Sequence, residues 1–134
     1  MIDALALCLS LATGDLAPRA WTCALVATTA AAYGQDPAET VAQAWVESRW
    51  SRTAVSGDGC VGPLQVQPKY RAHFCSAAGE EPGCGDLVAG IGARLRWQRW
   101  GRRTGQDWMC GYSAGTGARG PCAYRAAVEA VGGW

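Results

Sequence analysis

The sequence contains a single histidine, His73, and none of its seven cysteines belongs to a Cys-x-x-Cys pair. Structural zinc sites usually take their ligands from such close pairs, so we expect neither a metal nor another cofactor. Cysteines dispersed along a short chain favour disulfides formed in an oxidising compartment. Two pairs would close short loops, Cys75 with Cys84 and Cys110 with Cys122. The odd number leaves at least one thiol unpaired or bonded to a partner chain.

Long hydrophobic runs and linkers are also absent. No apolar stretch approaches the roughly 20 residues that cross a bilayer, so we expect no membrane span. The apolar N-terminus has Asp3 where a signal peptide would have a basic residue, which favours a first helix over residues 2–12. Hydrophobic residues make up 49% of the chain and charged residues 17%, which is typical of a folded protein. With 134 residues and no internal repeat, the sequence predicts one domain over 1–134.

The chain has almost no excess of charge of either sign, since its formal net charge is only +1. This balance argues against a nucleic-acid partner. Eleven of the twelve basic residues are arginines, and from residue 87 onward seven basic side chains accompany two acidic ones. A helix predicted over 87–102 has Leu87, Ile91 and Leu95 on its buried stripe. Five arginines are predicted to lie mostly outside that stripe, namely Arg94, Arg96, Arg99, Arg102 and Arg103. Such a series usually forms a solvated face, and its functional alternative is to attract anionic wall polymers.

Helix signals recur along the chain and predict a mainly α fold. The clearest one is the sequence Asp36-Pro37-Ala38-Glu39, which combines an N-cap, a proline in the first position and an acid in the third. It opens a helix over 37–50. The three glycines and two prolines of 51–68 predict an irregular segment with a small strand or hairpin near 57–66. The other predicted helices cover 19–33, 70–78, 87–102 (capped by Asp86), 106–112 and 121–131.

Three motifs follow one another from the end of the 37–50 helix. They are Glu47-Ser48, then Gly62-Pro63-Leu64-Gln65, and finally Gly111-Tyr112-Ser113-Ala114-Gly115. In their order and separation they resemble the catalytic core of the soluble lytic transglycosylase family, within the lysozyme-like superfamily, over about 43–117. The resemblance implies a single lysozyme-like domain with a small irregular or β-hairpin segment at the cleft.

The same resemblance implies a peptidoglycan lytic transglycosylase with Glu47 as its single general acid and base. Glu47 would protonate the leaving oxygen of the β-1,4 bond between N-acetylmuramic acid and N-acetylglucosamine. It would then take a proton from the 6-hydroxyl of the muramic acid, which closes a 1,6-anhydro ring without consuming water. The residues expected to bind substrate are Ser48, Gln65, Tyr112, Ser113 and Ala114, with Tyr112 holding the Glu47 carboxyl or the adjacent sugar.

The position of Glu47 agrees with this chemistry. A carboxylate in the last turn of a helix is disfavoured by the helix dipole, so helix stability does not explain it. A carboxyl group stays protonated near neutral pH when apolar walls remove it from water. The candidate walls are Trp45, Trp50, Val61 and Leu64. The tryptophans are expected mostly in the core. One or two of them, Trp50 or Trp108, are expected to stack on sugars, and a Cys60–Cys110 bridge would join the two sides of the cleft.

Two alternatives stay open. Asp58 follows Glu47 in the loop and would make the protein a hydrolysing muramidase if it served as a second carboxylate, although an Asp between glycines is usually a turn former. Ser113 stands where the family has Asn, which keeps open a catalytically weak wall-binding or virion structural protein. In every case we expect a monomer that acts outside the cytoplasm on peptidoglycan strands, in the periplasm, the cell wall or a phage particle.

Overall fold

Six α-helices and one 3₁₀ helix hold most of the residues that the computed structural model describes, which are 2–69, 87–117 and 122–133. Within these ranges the protein is mainly helical, as predicted for the fold class, and it contains no sheet. The 70–78 helix, the Asp86 cap, His73 and the Cys75–Cys84 pair lie outside the described residues. The helices are α1 (Ile2–Leu11), the 3₁₀ helix (Gly14–Arg19), α2 (Ala20–Ala32), α3 (Pro37–Ser48), α4 (Ala89–Thr104), α5 (Trp108–Ala114) and α6 (Ala123–Gly132).

Helix α3 lies at the centre of this arrangement. It packs against α1, α2 and α6, and α5 lies between α4 and α6. Its residues from Thr40 to Trp45 are all buried, so water is excluded from most of its circumference. A central helix gives its side chains a defined position, and Glu47 lies in its last turn. No helix in the described part of the chain is long and apolar enough to cross a membrane.

Both ends of α3 are set by local chemistry. Asp36 is the N-cap, as predicted, and its carboxylate accepts hydrogen bonds from the backbone N–H groups of Ala38 and Glu39. The helix ends two residues earlier than predicted because Arg49 and Trp50 both adopt the left-handed conformation, at φ 54° and 58°. Such a conformation is costly for residues with a Cβ. The fully buried Trp50 indole, which donates to the Val41 carbonyl at 3.0 Å, compensates for that cost.

The segment after α3 is irregular, as predicted, and it contains a small hairpin over 55–66. Val61 forms antiparallel bridges with both Val55 and Val66. The Ser48 hydroxyl donates to the Pro63 carbonyl at 2.8 Å and thereby joins the end of α3 to this hairpin. Gly90 allows α4 to approach from the other side, since a Cβ at that position would lie 2.7 Å from a Leu64 methyl carbon. The hairpin is therefore held between α3 and α4.

Helix α4 confirms the predicted stripe but not the position of its first arginine. Leu87 and Ile91 are buried, and Leu95 packs against the same core. Arg94, however, is fully buried, so the prediction that it lies outside the stripe is wrong. Its guanidinium forms an ion pair with Glu39 of α3 at 2.7 Å. The helical period alone could not predict this burial, because the compensating charge comes from another helix.

Two disulfides join described cysteines. Cys110–Cys122 connects α5 to the start of α6, as the short-loop argument predicted, and Cys8–Cys23 connects α1 to α2. The predicted bridge between Cys60 and Cys110 is wrong, because Cys110 is already paired and Cys60 is a free thiol. Cys60 lies on the hairpin, whereas Cys122 immediately precedes α6. The disulfide thus fixes the two C-terminal helices to each other rather than the two sides of the cleft.

We expect the Cys122→Ser substitution to lower the free energy of unfolding by about 2–4 kcal/mol, because the bridge constrains the unfolded chain. Denaturant unfolding would measure the loss, with Cys60→Ser as the matched control since Cys60 is in no disulfide. Equal unfolding midpoints for the two variants would show that the bridge does not stabilise the fold.

Candidate active site

A cleft of about 810 Å³ lies between α3, the hairpin and the three C-terminal helices. Its polar groups come from four separate elements of the chain, and its apolar surface comes mainly from α4 and the hairpin. The described residues that line it are Val46, Glu47, Ser56, Asp58, Cys60, Gln65, Val66, Gln67, Pro68, Lys69, Ala93, Trp97, Tyr112, Ser113 and Tyr124. The fold therefore brings Glu47, Gln65, Tyr112 and Ser113 together, as the three motifs predicted.

Glu47 contributes a carboxyl group to this cleft from the last turn of α3. Removal from water raises the pKa of its carboxyl to about 7, and a hydrogen bond from Tyr124 partly opposes this rise. The apolar groups that line the cleft with it include Val46, Val66 and Trp97. A carboxyl group with this pKa exists in both protonation states near neutral pH, so it can donate a proton and take one back.

The hydrogen bond to Glu47 comes from Tyr124 and not from Tyr112. The Tyr124 hydroxyl donates to Oε1 of Glu47 at 2.5 Å. Burial, followed by the nearby Glu47 charge, raises the pKa of Tyr124, which keeps the phenol protonated and able to donate. None of the three motifs includes Tyr124, whose only sequence signal is its place one turn from the apolar Val128 on a short amphipathic helix.

Tyr112 has a different role from the predicted contact with the carboxyl. Its hydroxyl donates to the Leu64 carbonyl at 2.7 Å, which connects α5 to the hairpin across the cleft. Gly111 makes this position possible, because a Cβ there would lie 2.7 Å from the rings of both Trp97 and Trp100. Tyr112 thus lines the cleft and also holds two of its walls together.

Ser48 and Gln65, both predicted to bind substrate, are engaged within the protein. The Ser48 hydroxyl is bonded to the Pro63 carbonyl and does not line the cleft. Gln65 does line it, and its Nε2 donates to the carbonyls of Ala54 and Gly62 at 3.2 and 2.9 Å. Gln65 has φ 50°, a strained value for a residue with a Cβ, and these bonds hold it there. Its side chain is thereby fixed at the cleft wall.

Three further predicted positions lie at or near the rim. Ser113 is exposed and lines the cleft, whereas Ala114 is exposed and does not. Asp58 lies in a turn that is closed by the Gly59 N–H donating to the Ser56 carbonyl at 3.0 Å, which agrees with a turn former. Asp58 is exposed and nevertheless lines the same cleft as Glu47.

Neither of the two tryptophans predicted to stack on sugars lines the cleft. Trp45 and Trp50 pack edge to face in the core at 4.7 Å between ring centroids, and the full burial of Trp50 excludes it from stacking on a sugar. The Arg94 guanidinium lies over the ring of Trp108, with Cζ of Arg94 4.9 Å from the centroid of that ring. Among the described residues, Trp97 of α4 is the one whose indole lines the cleft. Of the four predicted walls of Glu47, none lines the cleft.

These groups can deliver a proton, accept one, and hold a polar ligand against an indole ring. Among the described residues no cluster of side chains is suited to bind a metal ion. Comparisons of the chain with protein-family models, with curated proteins and with solved structures find no match.

Proposed function

We propose that this protein is a peptidoglycan lytic transglycosylase that cleaves the β-1,4 bond between N-acetylmuramic acid and N-acetylglucosamine. The observation that carries the proposal is the Glu47 carboxyl, whose pKa of about 7 results from its burial in a large cleft. The three motifs of the family resemblance supply Glu47, Gln65, Tyr112 and Ser113 to this same cleft.

In the first step the proton of Glu47 moves to the glycosidic oxygen as the bond to C1 of the muramic acid breaks. In the second step the Glu47 carboxylate takes the proton of the 6-hydroxyl group, whose oxygen forms the new bond to C1. One residue therefore returns to its starting state after each cycle, and no water is consumed. Both steps favour a group that titrates close to the working pH.

The remaining cleft residues would position the glycan. Trp97 presents an indole that can pack on the apolar face of a sugar ring. Gln65, held by its two bonds to the hairpin, offers an amide oxygen at a defined position. We propose Ser113 as a hydroxyl contact at the rim, where a longer amide side chain would reach further. Two disulfides agree with action in an oxidising compartment outside the cytoplasm.

Hydrolysis by a muramidase is the second candidate, because Asp58 lines the same cleft as Glu47. A second carboxylate would serve as nucleophile or as base for water, and the product would carry a reducing end. The Asp58→Asn substitution distinguishes the two reactions. It removes the second carboxylate, so it should abolish hydrolysis but spare transglycosylation.

Mass spectrometry of digested cell walls tests the proposal directly. Muropeptides with 1,6-anhydro ends would support the transglycosylase, and muropeptides with reducing ends would support the muramidase. Intact walls after prolonged incubation with folded protein would refute both and favour a wall-binding or virion structural role.

The rate of cleavage should fall as the pH rises through about 7, because only protonated Glu47 can act as the acid. The hydrogen bond from Tyr124 lowers the pKa of Glu47, so Tyr124→Phe should move this alkaline limb to higher pH. Cleavage measured against pH for both proteins checks the shift. An alkaline limb at the same pH in both would show that Tyr124 does not act on the acid.

A further inference from the structure

Three polar side chains lie one above another on α3, each one turn from the next. They are Glu39, Gln43 and Glu47, and this spacing of four residues places them on one face of the helix. Gln43 is fully buried, and Arg94 of α4 is fully buried beside it. Buried polar groups are costly unless they are paired, so this row needs an explanation.

Arg94 determines the direction of the hydrogen bonds in this row because a guanidinium can only donate. Its Nη2 donates to Oε1 of Glu39 at 2.7 Å, which neutralises the buried charge. Its Nη1 donates to Oε1 of Gln43, and its Nε donates to Oε1 of Gln35 at 3.3 Å. The oxygen of the Gln43 amide must therefore face Arg94.

The Nε2 group of Gln43 then points the other way. It is buried and has no partner within hydrogen-bond geometry among the described residues. Tyr124 is bonded to Glu47, one turn further along the same face of α3, and the Gln43 side chain lowers the pKa of Tyr124 as a hydrogen-bond donor does. The phenol oxygen is the acceptor that we assign to this N–H group.

In the chain of hydrogen bonds that begins at Arg94, Tyr124 is the next donor. A phenol oxygen that faces an N–H donor turns its own hydrogen elsewhere, and the Tyr124 hydroxyl donates to Oε1 of Glu47. An oxygen that accepts this bond is a poor place for the acidic proton. The proton of the neutral Glu47 carboxyl therefore belongs on Oε2.

We propose that Arg94 and Gln43 are positioning residues that orient the Tyr124 hydroxyl and so place the acidic proton of Glu47 on Oε2. The proposal rests on the proposed function, because the proton on Oε2 is the one that moves to the glycosidic oxygen. Neither Arg94 nor Gln43 lines the cleft, so both would act through Tyr124. Throughout the reaction Tyr124 keeps donating to Oε1, so Oε2 both loses and regains the proton.

A double-mutant cycle between Gln43 and Tyr124 tests this relay. Gln43→Met keeps the volume of the side chain and removes both polar atoms. We expect it to lower kcat on a solubilised glycan about 3- to 10-fold with KM unchanged. In the Tyr124→Phe background the same substitution should change kcat by less than about twofold, because the relay is already broken. A full effect in that background would overturn the proposal.

A second measurement does not depend on activity. Carbon-13 NMR of the labelled Glu47 carboxyl should show a higher pKa in Gln43→Met than in the wild type, and no further rise when Tyr124→Phe is already present. The other described titratable groups around the cleft, Asp58, Cys60, Lys69 and Tyr112, are unchanged in each comparison. If Gln43→Met raises the pKa of Glu47 only when Tyr124 is present, but the wild type cleaves no glycan, the proposed function fails and the relay stands. Cleavage by a protein in which this dependence on Tyr124 is absent would refute the relay alone.

Two further variants protect the test against a folding defect. Gln43→Glu keeps an acceptor for Arg94 but offers the Tyr124 hydroxyl a competing acceptor, so kcat should fall further than in Gln43→Met. Gln98→Leu is the matched control, because Gln98 is bonded to Gln35 on the other side of Arg94. It should leave kcat and the pKa of Glu47 unchanged. A loss of kcat in the Gln98 control equal to that in Gln43→Met would show a general packing effect and overturn the proposal.

Discussion

Replacing Glu47 with glutamine is expected to lower the rate of glycan cleavage by about 10²- to 10⁴-fold, because the amide cannot donate an acidic proton. Glutamine has the same shape as the protonated acid, so glycan binding should persist and the Tyr124 hydroxyl can still donate to the amide oxygen. Release of anhydro-muropeptides from cell walls would measure the loss. Activity above a few per cent of the wild type would contradict the assignment of Glu47 as the acid.

The same substitution should stabilise the fold at alkaline pH. Burial raises the pKa of Glu47 from 4.5 to about 7, so the folded protein binds the proton more tightly than the unfolded chain. This contribution is fully present below about pH 4.5 and is lost as the pH rises through about 7. Above that pH the buried carboxylate costs about 3 kcal/mol, which Glu47→Gln removes. Unfolding at pH 5 and pH 8 would show the difference, with Glu129→Gln on α6 as the control.

Replacing Glu39 with glutamine is expected to lower the free energy of unfolding by about 3–5 kcal/mol. Arg94 has no exposed surface, and the Glu39 carboxylate is the only negative charge bonded to it among the described residues. Removing that charge leaves a buried cation with neutral partners only. Denaturant unfolding would measure the loss, with Asp15→Asn on the exposed 3₁₀ helix as the control.

The double variant Glu39→Gln with Arg94→Met separates a buried charge from a general packing defect. If the cost of Glu39→Gln comes from the uncompensated guanidinium, removing Arg94 as well should restore much of the stability. Stability that falls still further in the double variant would show that both side chains stabilise the core independently of their charges.

Much of the helical framework could be predicted because its signals are local. The Asp36 cap opens α3 at the predicted residue, and the glycines and prolines of 51–68 correctly predict a break in the helices. The end of α3 could not be predicted, because two residues with a Cβ adopt a left-handed conformation there. They do so because Trp50 gains a buried site and a hydrogen bond to Val41, and that gain depends on the rest of the core.

Those residues of the candidate site that belong to short sequence motifs could be predicted. Glu47, Gln65 and Tyr112 do line one cleft. The sequence does not single out Tyr124, because no motif surrounds it. The helical period predicts Arg94 outside the buried stripe, because that period assigns helix faces without information on the neighbouring helix. The pairing of Cys110 with Cys122 instead of Cys60 likewise depends on which helices lie side by side.

The sequence by itself determined the mainly helical class, the start of the central helix and the residue most suited to act as an acid, since caps, periodicity and motifs are properties of neighbouring residues. Only the tertiary structure decided which phenol holds that acid, which indole faces the cleft and why an arginine lies in the core. Those outcomes depend on contacts between residues up to 77 positions apart. Side chains become buried, and buried charges become paired, only when segments that are distant in the sequence pack against each other and exclude water.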